Sequence, residues 1–518
     1  MIHLTFKGES KMEDYEKMEI SEDSVPYTID ESIAKKYVLT TLDLKIKDYF
    51  PGEAVNKKLT KTGLLSSRAL PSFVADWLIN KYSDGETVDN VGLQRFLDNY
   101  LPDKSKAEEI KFRIKKNDGR IKILADFRVT PDIRSGDDLL EIPILDVSGK
   151  EGAVISSVID SSPELLNGGM WGVGELLYEP PQANKKDGRI VLRDFTPFRP
   201  YKANLDYYRK ARTNFDSIHE WIDFLLKNME YDPKSFDTIE QKLKMISRLL
   251  PFVEPRMNLI ELAPKGTGKS YVFGRLSKYG WLISGGSVSR AQLFYDISRQ
   301  RSGLITKYDY VALDEIQTIN FGSKPAEVIG GLKGYLESGT YNISGYPGEA
   351  EAGLIILGNI PITDSGKPQS SNYFATLPKF MQEGAFLDRF HGFIEGWELP
   401  RIKVGSIGKG WALNSEFFSE VMHGLRNDTT PAAVVEAALS VPSSADKRDS
   451  AAVARITTGF LKLLYPDVRS TEDLNYDEFE TFCFKPAYNM RGIIREQLHR
   501  LDEEFSLDMP EINVKKGL

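Results

Sequence analysis

The chain has 518 residues, 41% hydrophobic and 27% charged, enough to bury more than one core and to fold as two to four domains. A formal net charge of -8 excludes a global attraction to nucleic acid or anionic membranes, so contact with either requires a local basic patch. Only Cys483 is present and the five histidines are scattered, so disulfides and zinc sites have no support; without an apolar run of about 18 residues or a signal-like N-terminus, a cytoplasmic protein with no membrane partner is expected.

Residues 1–30 are acidic with few branched apolar residues, and a mobile tail is expected there. Over 31–105, apolar positions in SFVADWLINKY and GLQRFLDNYL recur every three or four residues, predicting a small helical N-terminal domain. From 106 to 200 the pattern turns to short branched runs, RIKILADFRV, DLLEIPILDV, GVGELLYE and RIVLRDF, separated by turn residues. A compact β-rich domain of the OB-barrel kind is predicted. Lys104, Lys106, Lys111, Arg113, Lys115, Lys116, Arg120 and Lys122 lead into it, against only Glu108, Glu109 and Asp118. Such a stripe suits DNA phosphates, and Lys111, Arg113, Lys115, Lys116, Arg120 and Lys122 are the DNA-contact candidates; the competing reading is a solvated basic face.

A helical connector is expected over 201–250, alternating strands and helices over 251–405, and a mostly helical lid over 406–518. In the alternating region NLIEL predicts a buried strand and SYVFGRLSKYG a helix, with APKGTGKS joining them. The loop Pro264, Lys265, Gly266, Thr267, Gly268, Lys269 and Ser270 fits a phosphate cradle. Glycines let backbone N–H groups converge on the anion without a Cβ in the way, and the following helix end adds partial positive charge. Lys269 would reach the β- and γ-phosphates of ATP, and Ser270 would ligate Mg²⁺.

About 40 residues on, YDYVALDE ends a predicted strand in two carboxylates. Asp314 would share the Mg²⁺ and Glu315 would polarise the attacking water; alternatively, Asp314 caps the next helix. AGLIILGN ends another strand in Asn359, which could hydrogen-bond the γ-phosphate or the water, or simply form a turn. AFLDRFH carries Arg389, suited to a neighbour's site or to an internal pair with Asp388 or Glu383, and NMRGIIREQL starts a helix with Arg491, catalytic or solvated.

Taken in order, these elements resemble an AAA+ P-loop ATPase: an α/β core with a helical lid, preceded here by the helical and OB-like domains. The resemblance implies that Asn359 is its sensor 1, Arg389 its arginine finger and Arg491 its sensor 2. It also implies a homo-oligomeric ring of about six subunits with the nucleotide at the subunit interface. NLIELAPKGTGKSYVF, SKYGWLISGGSVSRAQLFYD, YDYVALDEIQTI, GLKGYLESGTY, GLIILGNI and AFLDRFHGFIEGWE closely resemble the Lon-like AAA+ proteins of bacterial BREX phage-defence systems, the BrxL family. With DYFPGEAVNKKLTKTG, NGGMWGVGELLYE and SRLLPFVEPRMNLIEL upstream, the likeness covers about residues 40–505. It implies an ATP-driven, MCM-like oligomer, as one ring or two stacked, that binds double-stranded DNA through its N-terminal region and acts with other BREX components.

Two departures qualify it. Many members carry a Lon-protease-like domain after the lid, and no segment up to Leu518 resembles its serine-lysine site, so proteolysis is not expected. The hairpin TYNISGYPGEAEAG lacks a basic tip, leaving Tyr346 to stack on a base instead. The alternative function is a protein unfoldase of the Lon or Clp kind without its own protease.

Overall fold

The computed structural model describes residues 38–515 apart from 62, 67–69, 102, 117–119, 133–135, 167–168, 182–186, 199–200, 298–300 and 344; the expected 1–30 tail lies outside the described residues. The chain forms two compact units, one holding residues 59–70 and 77–202, the other 39–58, 71–76 and 203–518. The region expected as one helical domain over 31–105 is therefore divided. Helix α1 (Thr41–Tyr49) and strand β1 (Ala54–Asn56) belong to the second unit, because β1 pairs antiparallel with residues 411–413 and Lys57 forms a buried ion pair with Asp76 at 2.6 Å.

In the first unit, helices α2 (Asn90–Tyr100) and α3 (Ala107–Lys116) precede a closed barrel of five strands. These are β2 (Ile121–Asp132), β3 (Asp137–Glu141), β4 (Gly152–Val154), β5 (Met170–Glu179) and β6 (Arg189–Pro197), with α4 (Ser156–Ser161) between β4 and β5. The order around the barrel is β2-β3-β4-β6-β5, and the β4–β6 pair is parallel. Alternation along β2 turns Ile123, Ala125, Phe127 and Val129 inward. On its apolar side, α3 adds Ala107, Ile110 and Ile114 to the same core. Gly172 and Gly174 leave room for this packing, since a Cβ at either would stand about 2.4 Å from the ring of Phe195 or Phe127.

The second unit is built on a parallel sheet. Its strands are β7 (Leu259–Ala263), β8 (Gly280–Ser284), β9 (Tyr310–Asp314), β12 (Gly353–Asn359) and β13 (Gly392–Glu395), in the order β13-β7-β12-β9-β8. Both faces are covered, so β7 and β9 are buried at every position; β9 reads as an apolar run up to its terminal Asp314, while β7 carries one buried charge, Glu261, among its apolar residues. Between β7 and β8 runs α5 (Lys269–Arg275), and α6 (Pro325–Ser338) leads into the hairpin of β10 (Thr340–Ile343) and β11 (Tyr346–Glu349). After α7 (Gly384–Leu387) and β13 the chain forms β14 (Trp411–Leu413), α8 (Ser415–Arg426), α9 (Lys447–Leu464) and α10 (Lys485–Leu501). Among the described residues no helix is long and apolar enough to cross a membrane.

Candidate nucleotide site and basic surface

Parallel register brings the carboxyl ends of the central strands to one edge, the edge where ligands bind in such sheets. Ala263 at the end of β7 lies opposite Asn359 at the end of β12, and β9 ends beside them in Asp314. The glycine loop leaves β7 there. Gly266 and Gly268 take φ of +87° and +82°, a left-handed conformation that only glycine holds without strain. Gly268 also has no room for a Cβ, which would stand 2.3 Å from the Tyr231 hydroxyl. Ile402 donates its N–H to the Gly266 carbonyl at 2.8 Å and ties the loop to the segment after β13.

Four of the expected site residues meet at this edge. Lys269 Nζ lies 3.4 Å from Asn359 Oδ1 and donates to the Pro264 carbonyl at 3.3 Å. Ser270 donates its hydroxyl to Asp314 Oδ2 at 2.5 Å. Burial holds the Lys269 ammonium below its usual pKa; Glu261 pulls it back up and the Arg248 guanidinium pushes it down. Glu315 follows at φ +51°, a left-handed conformation costly for a non-glycine residue, and its carboxylate is exposed. Its backbone N–H donates to Asp314 Oδ1 at 2.9 Å, so the neighbouring carboxylate helps hold the turn.

A hydroxyl and a carboxylate oxygen in contact, beside a phosphate-sized glycine loop and an ammonium, form a hard-oxygen donor set suited to Mg²⁺ carried by a nucleotide. Ser270 and Asp314 could hold the ion, and the loop and Lys269 the phosphates. Thr267 is buried with its backbone carbonyl turned to Arg248, while Lys265 is exposed.

Two supports went unnoticed in the sequence. Gln317 donates to the Asn359 carbonyl at 2.9 Å and accepts from its N–H at 3.4 Å, clasping that residue's backbone. Its position two residues beyond Glu315 was the available signal. Behind the loop, Arg248 and Glu261 form a fully buried two-pronged pair at 2.5 and 3.0 Å, and Arg248 also donates to the Thr267 carbonyl at 2.8 Å.

Neither arginine candidate lies at this pocket of its own chain, neither Arg389, expected to serve a neighbour's site or an internal pair, nor Arg491, expected to be catalytic or solvated. Residues 388–390 precede β13, and His391 donates its N–H to the carbonyl of Asn258, just ahead of β7. These residues therefore sit at the amino-terminal edge of the sheet, opposite the loop. Arg389 pairs there with Glu337 at 3.0 Å, not with Asp388 or Glu383; Glu383 takes Lys333 instead. Arg491 is 1% exposed, bound to Asp388 at 2.5 Å, to Asp449 at 2.7 Å and to the carbonyls of Asp388 and Phe390. It is neither solvated nor within reach of its own chain's phosphate loop.

The Tyr346 ring at the hairpin is half-exposed and stacks on Tyr295, with centroids 3.7 Å apart and planes 8° from parallel.

In the first unit the basic stripe separates into two sets. Lys104 pairs with Asp146 at 3.1 Å, Lys111 with Glu151 and Glu108 at 3.2 and 3.3 Å, and Arg120 with Glu175 at 3.1 Å; Lys106 lies 3.9 Å from Asp98. Arg113, Lys115, Lys116 and Lys122 are exposed with no carboxylate in ion-pair distance among the described residues. The first three share α3 with Phe112, which is 60% exposed and carries the Lys116 ammonium 5.4 Å over its ring.

A family model for the ATPase domain of Lon-like protease BrxL-like proteins matches residues 190–511, and a model for the N-terminal region of the BREX system Lon protease-like protein BrxL matches residues 48–178. Lon-like protease BrxL from Escherichia coli O9:H4 (strain HS) is 31% identical over 470 residues, and that from Bacillus cereus (strain H3081.97) 29% identical over 470 residues. Both alignments cover 89% of this chain, which spans 65% and 67% of the length of these two relatives. A full-length MCM homolog from Methanopyrus kandleri superposes with a TM-score of 0.37 at 12% identity, over 73% of this chain and 81% of that one.

Proposed function

The chain belongs to the BrxL family of BREX systems, and from that premise we propose that it is a ring-forming ATPase that binds double-stranded DNA and spends ATP hydrolysis on defence against phage. The observation that carries the ATPase half is the contact of Lys269 with Asn359 and of Ser270 with Asp314 at one sheet edge. In this reading the loop from Pro264 to Ser270 cradles the phosphates, and Lys269 neutralises charge on the β and γ groups. Ser270 and Asp314 would hold Mg²⁺, which would supply neutralising positive charge at the phosphates. Glu315 orients the attacking water and accepts its proton, while Asn359, clasped by Gln317, fixes the place of that water. Arg389, facing away from its own loop, serves the nucleotide of an adjacent copy.

The DNA half rests on the free cations of α3 beside a barrel whose strand order, with its parallel closing pair and a helix between the third and fourth strands, suits an OB-type domain. Other BREX components are its expected partners in the cell, in the cytoplasm.

The test measures ATP turnover with and without duplex DNA, and DNA retention across a salt series. Turnover that rises with DNA, and retention that falls steeply with salt, are expected. Absence of retention at the lowest salt would remove the DNA half, and stimulation by unfolded protein but not DNA would favour an unfoldase.

A further inference from the structure

Helix α5 begins at the two residues that would hold the nucleotide, Lys269 and Ser270, yet no side chain caps it, because Gly268 stands at its N-cap. The following residue supplies an anchor from outside the helix. Tyr271 donates its phenol to Glu230 Oε2, and Tyr231, the neighbour of Glu230, sets its hydroxyl against Gly268. Residues 230–231 therefore touch the turn from Gly268 to Tyr271 at both of its ends.

Glu230 is itself built into place. Its φ of +68° is left-handed, a conformation that costs a non-glycine residue free energy and persists only where the surroundings hold it. Here its N–H donates to the Lys227 carbonyl at 3.0 Å, and its own carbonyl accepts from the Gly408 N–H at 2.8 Å. Its other carboxylate oxygen, Oε1, accepts from Lys57 Nζ at 3.2 Å. Lys57 is buried and also reaches Asp76 Oδ2 at 2.6 Å and Ser415 Oγ at 3.0 Å, while Ser415 donates its N–H to the same aspartate oxygen at 2.8 Å. Burial alone would lower the pKa of the Lys57 ammonium; Asp76 and Glu230 outweigh it and hold it above its usual value. Burial first, and the Glu230 charge second, push the Tyr271 phenol far up, so it stays a donor.

A carboxylate held by a buried ammonium on one oxygen fixes the phenol on the other, through a hydrogen bond strengthened by the charge. The rigid ring carries that constraint to the backbone beside Ser270. We propose that Glu230 and Tyr271 are positioning residues of the nucleotide site, setting the first turn of α5 so that the Ser270 hydroxyl is presented to Mg²⁺ and the Lys269 ammonium to phosphate together. This rests on the ATPase half of the reading above. Ser270 has the strictest task, since Mg²⁺ ligation tolerates little displacement of a ligand oxygen.

Tyr271→Phe removes one oxygen and keeps the ring, so the fold should persist, and a melting curve verifies it. In the full chain, adding Mg²⁺ should tighten binding of a fluorescent ATP analogue relative to chelator. Tyr271→Phe should shrink that gain at least about fivefold and lower ATP turnover at least about tenfold, the scale of loss that a small misplacement brings. A tyrosine that merely stabilised the fold would lower the melting temperature and leave the gain intact. Glu230→Ala should act like Tyr271→Phe, and the double variant should lose no more than either alone, since each breaks the same clasp. A wild-type gain in Tyr271→Phe, or losses that add in the double variant, overturns the proposal. A wild-type chain without Mg²⁺-dependent ATP binding and turnover fails the ATPase reading itself; one that has both, with Tyr271→Phe unchanged, overturns the clasp alone.

Discussion

Glu315 is a single residue on which backbone and chemistry both bear. Its left-handed φ costs on the order of 1–3 kcal/mol and is held by the N–H donated to Asp314 and by Thr318, whose N–H meets the Glu315 carbonyl at 2.7 Å. The strain turns an exposed carboxylate to the sheet edge where Lys269 and Ser270 lie. Removing its charge should therefore stop chemistry and spare binding. Glu315→Gln is expected to lower ATP turnover by roughly two orders of magnitude or more with nucleotide affinity retained, whereas Lys269→Ala loses both. Steady-state turnover beside a direct binding isotherm distinguishes the two; equal loss of affinity in Glu315→Gln would remove its assignment to the water. Gln317 offers a gentler case. Because it clasps only the backbone of Asn359, Gln317→Ala should reduce turnover several-fold with little change in affinity, and an unaltered rate would show that Asn359 needs no clasp.

Strand β7 and its loop are held from beneath by a pair the loop never exposes. Arg248 and Glu261 are fully buried, and the third donor of the guanidinium supports the Thr267 carbonyl. Breaking such a pair on one side leaves an uncompensated charge, so Arg248→Ala should destabilise the unit by about 3–5 kcal/mol, seen as a lower denaturant midpoint. A shift under about 1 kcal/mol would mean that water reaches the site and solvates Glu261. Helix α1 gives the corresponding acid-side case. Burial alone would raise the Asp43 carboxyl, but the Lys227 ammonium at 2.8 Å and the Thr40 donors outweigh it and hold it below its ordinary value. A depressed carboxyl stabilises above its unfolded pKa and loses that contribution as pH falls through the folded value. Asp43→Asn should thus be less stable than wild type at pH 7, with the gap closing below about pH 4; a gap constant with pH would assign the effect to packing.

These elements also mark what a sequence discloses. The ends of β9 and β12 were legible because a doubly covered strand is an apolar run that stops at a polar residue, here Asp314 and Asn359, and the end of β7 because Pro264 and the glycine loop follow it. Strand β4 was not, since Gly-Ala-Val is too short to carry a period. Nor was the place of β1, whose partner strand lies some 350 residues away in the chain. Arginines are hardest of all: Arg491, expected at a helix start but lying within α10, which begins at Lys485, looks the same in sequence whether it meets water, phosphate or Asp449.

The whole chain carries an excess of negative charge, while α3 carries cations with no carboxylate in ion-pair distance among the described residues, and the difference between paired and free cations sets what salt can do to this surface. Lys104 and Arg120 already have carboxylates within 3.1 Å, so replacing either removes an internal pair more than a ligand contact. Arg113, Lys115 and Lys116 have none among the described residues. If α3 lies along a duplex backbone, each phosphate it neutralises adds about 0.9 to the slope of log affinity against log salt. Replacing these three with alanine should flatten the slope by about 2 to 3, while Lys104→Ala leaves it nearly unchanged. Phe112 then reads which strand form is held. Its exposed ring can stack on a base only where bases are unpaired, at about 1–3 kcal/mol per base, so Phe112→Ala should weaken single-strand binding and spare the duplex. An unchanged salt slope in the triple variant would move the DNA surface off α3, and loss of duplex binding in Phe112→Ala would mean that the ring inserts between paired bases.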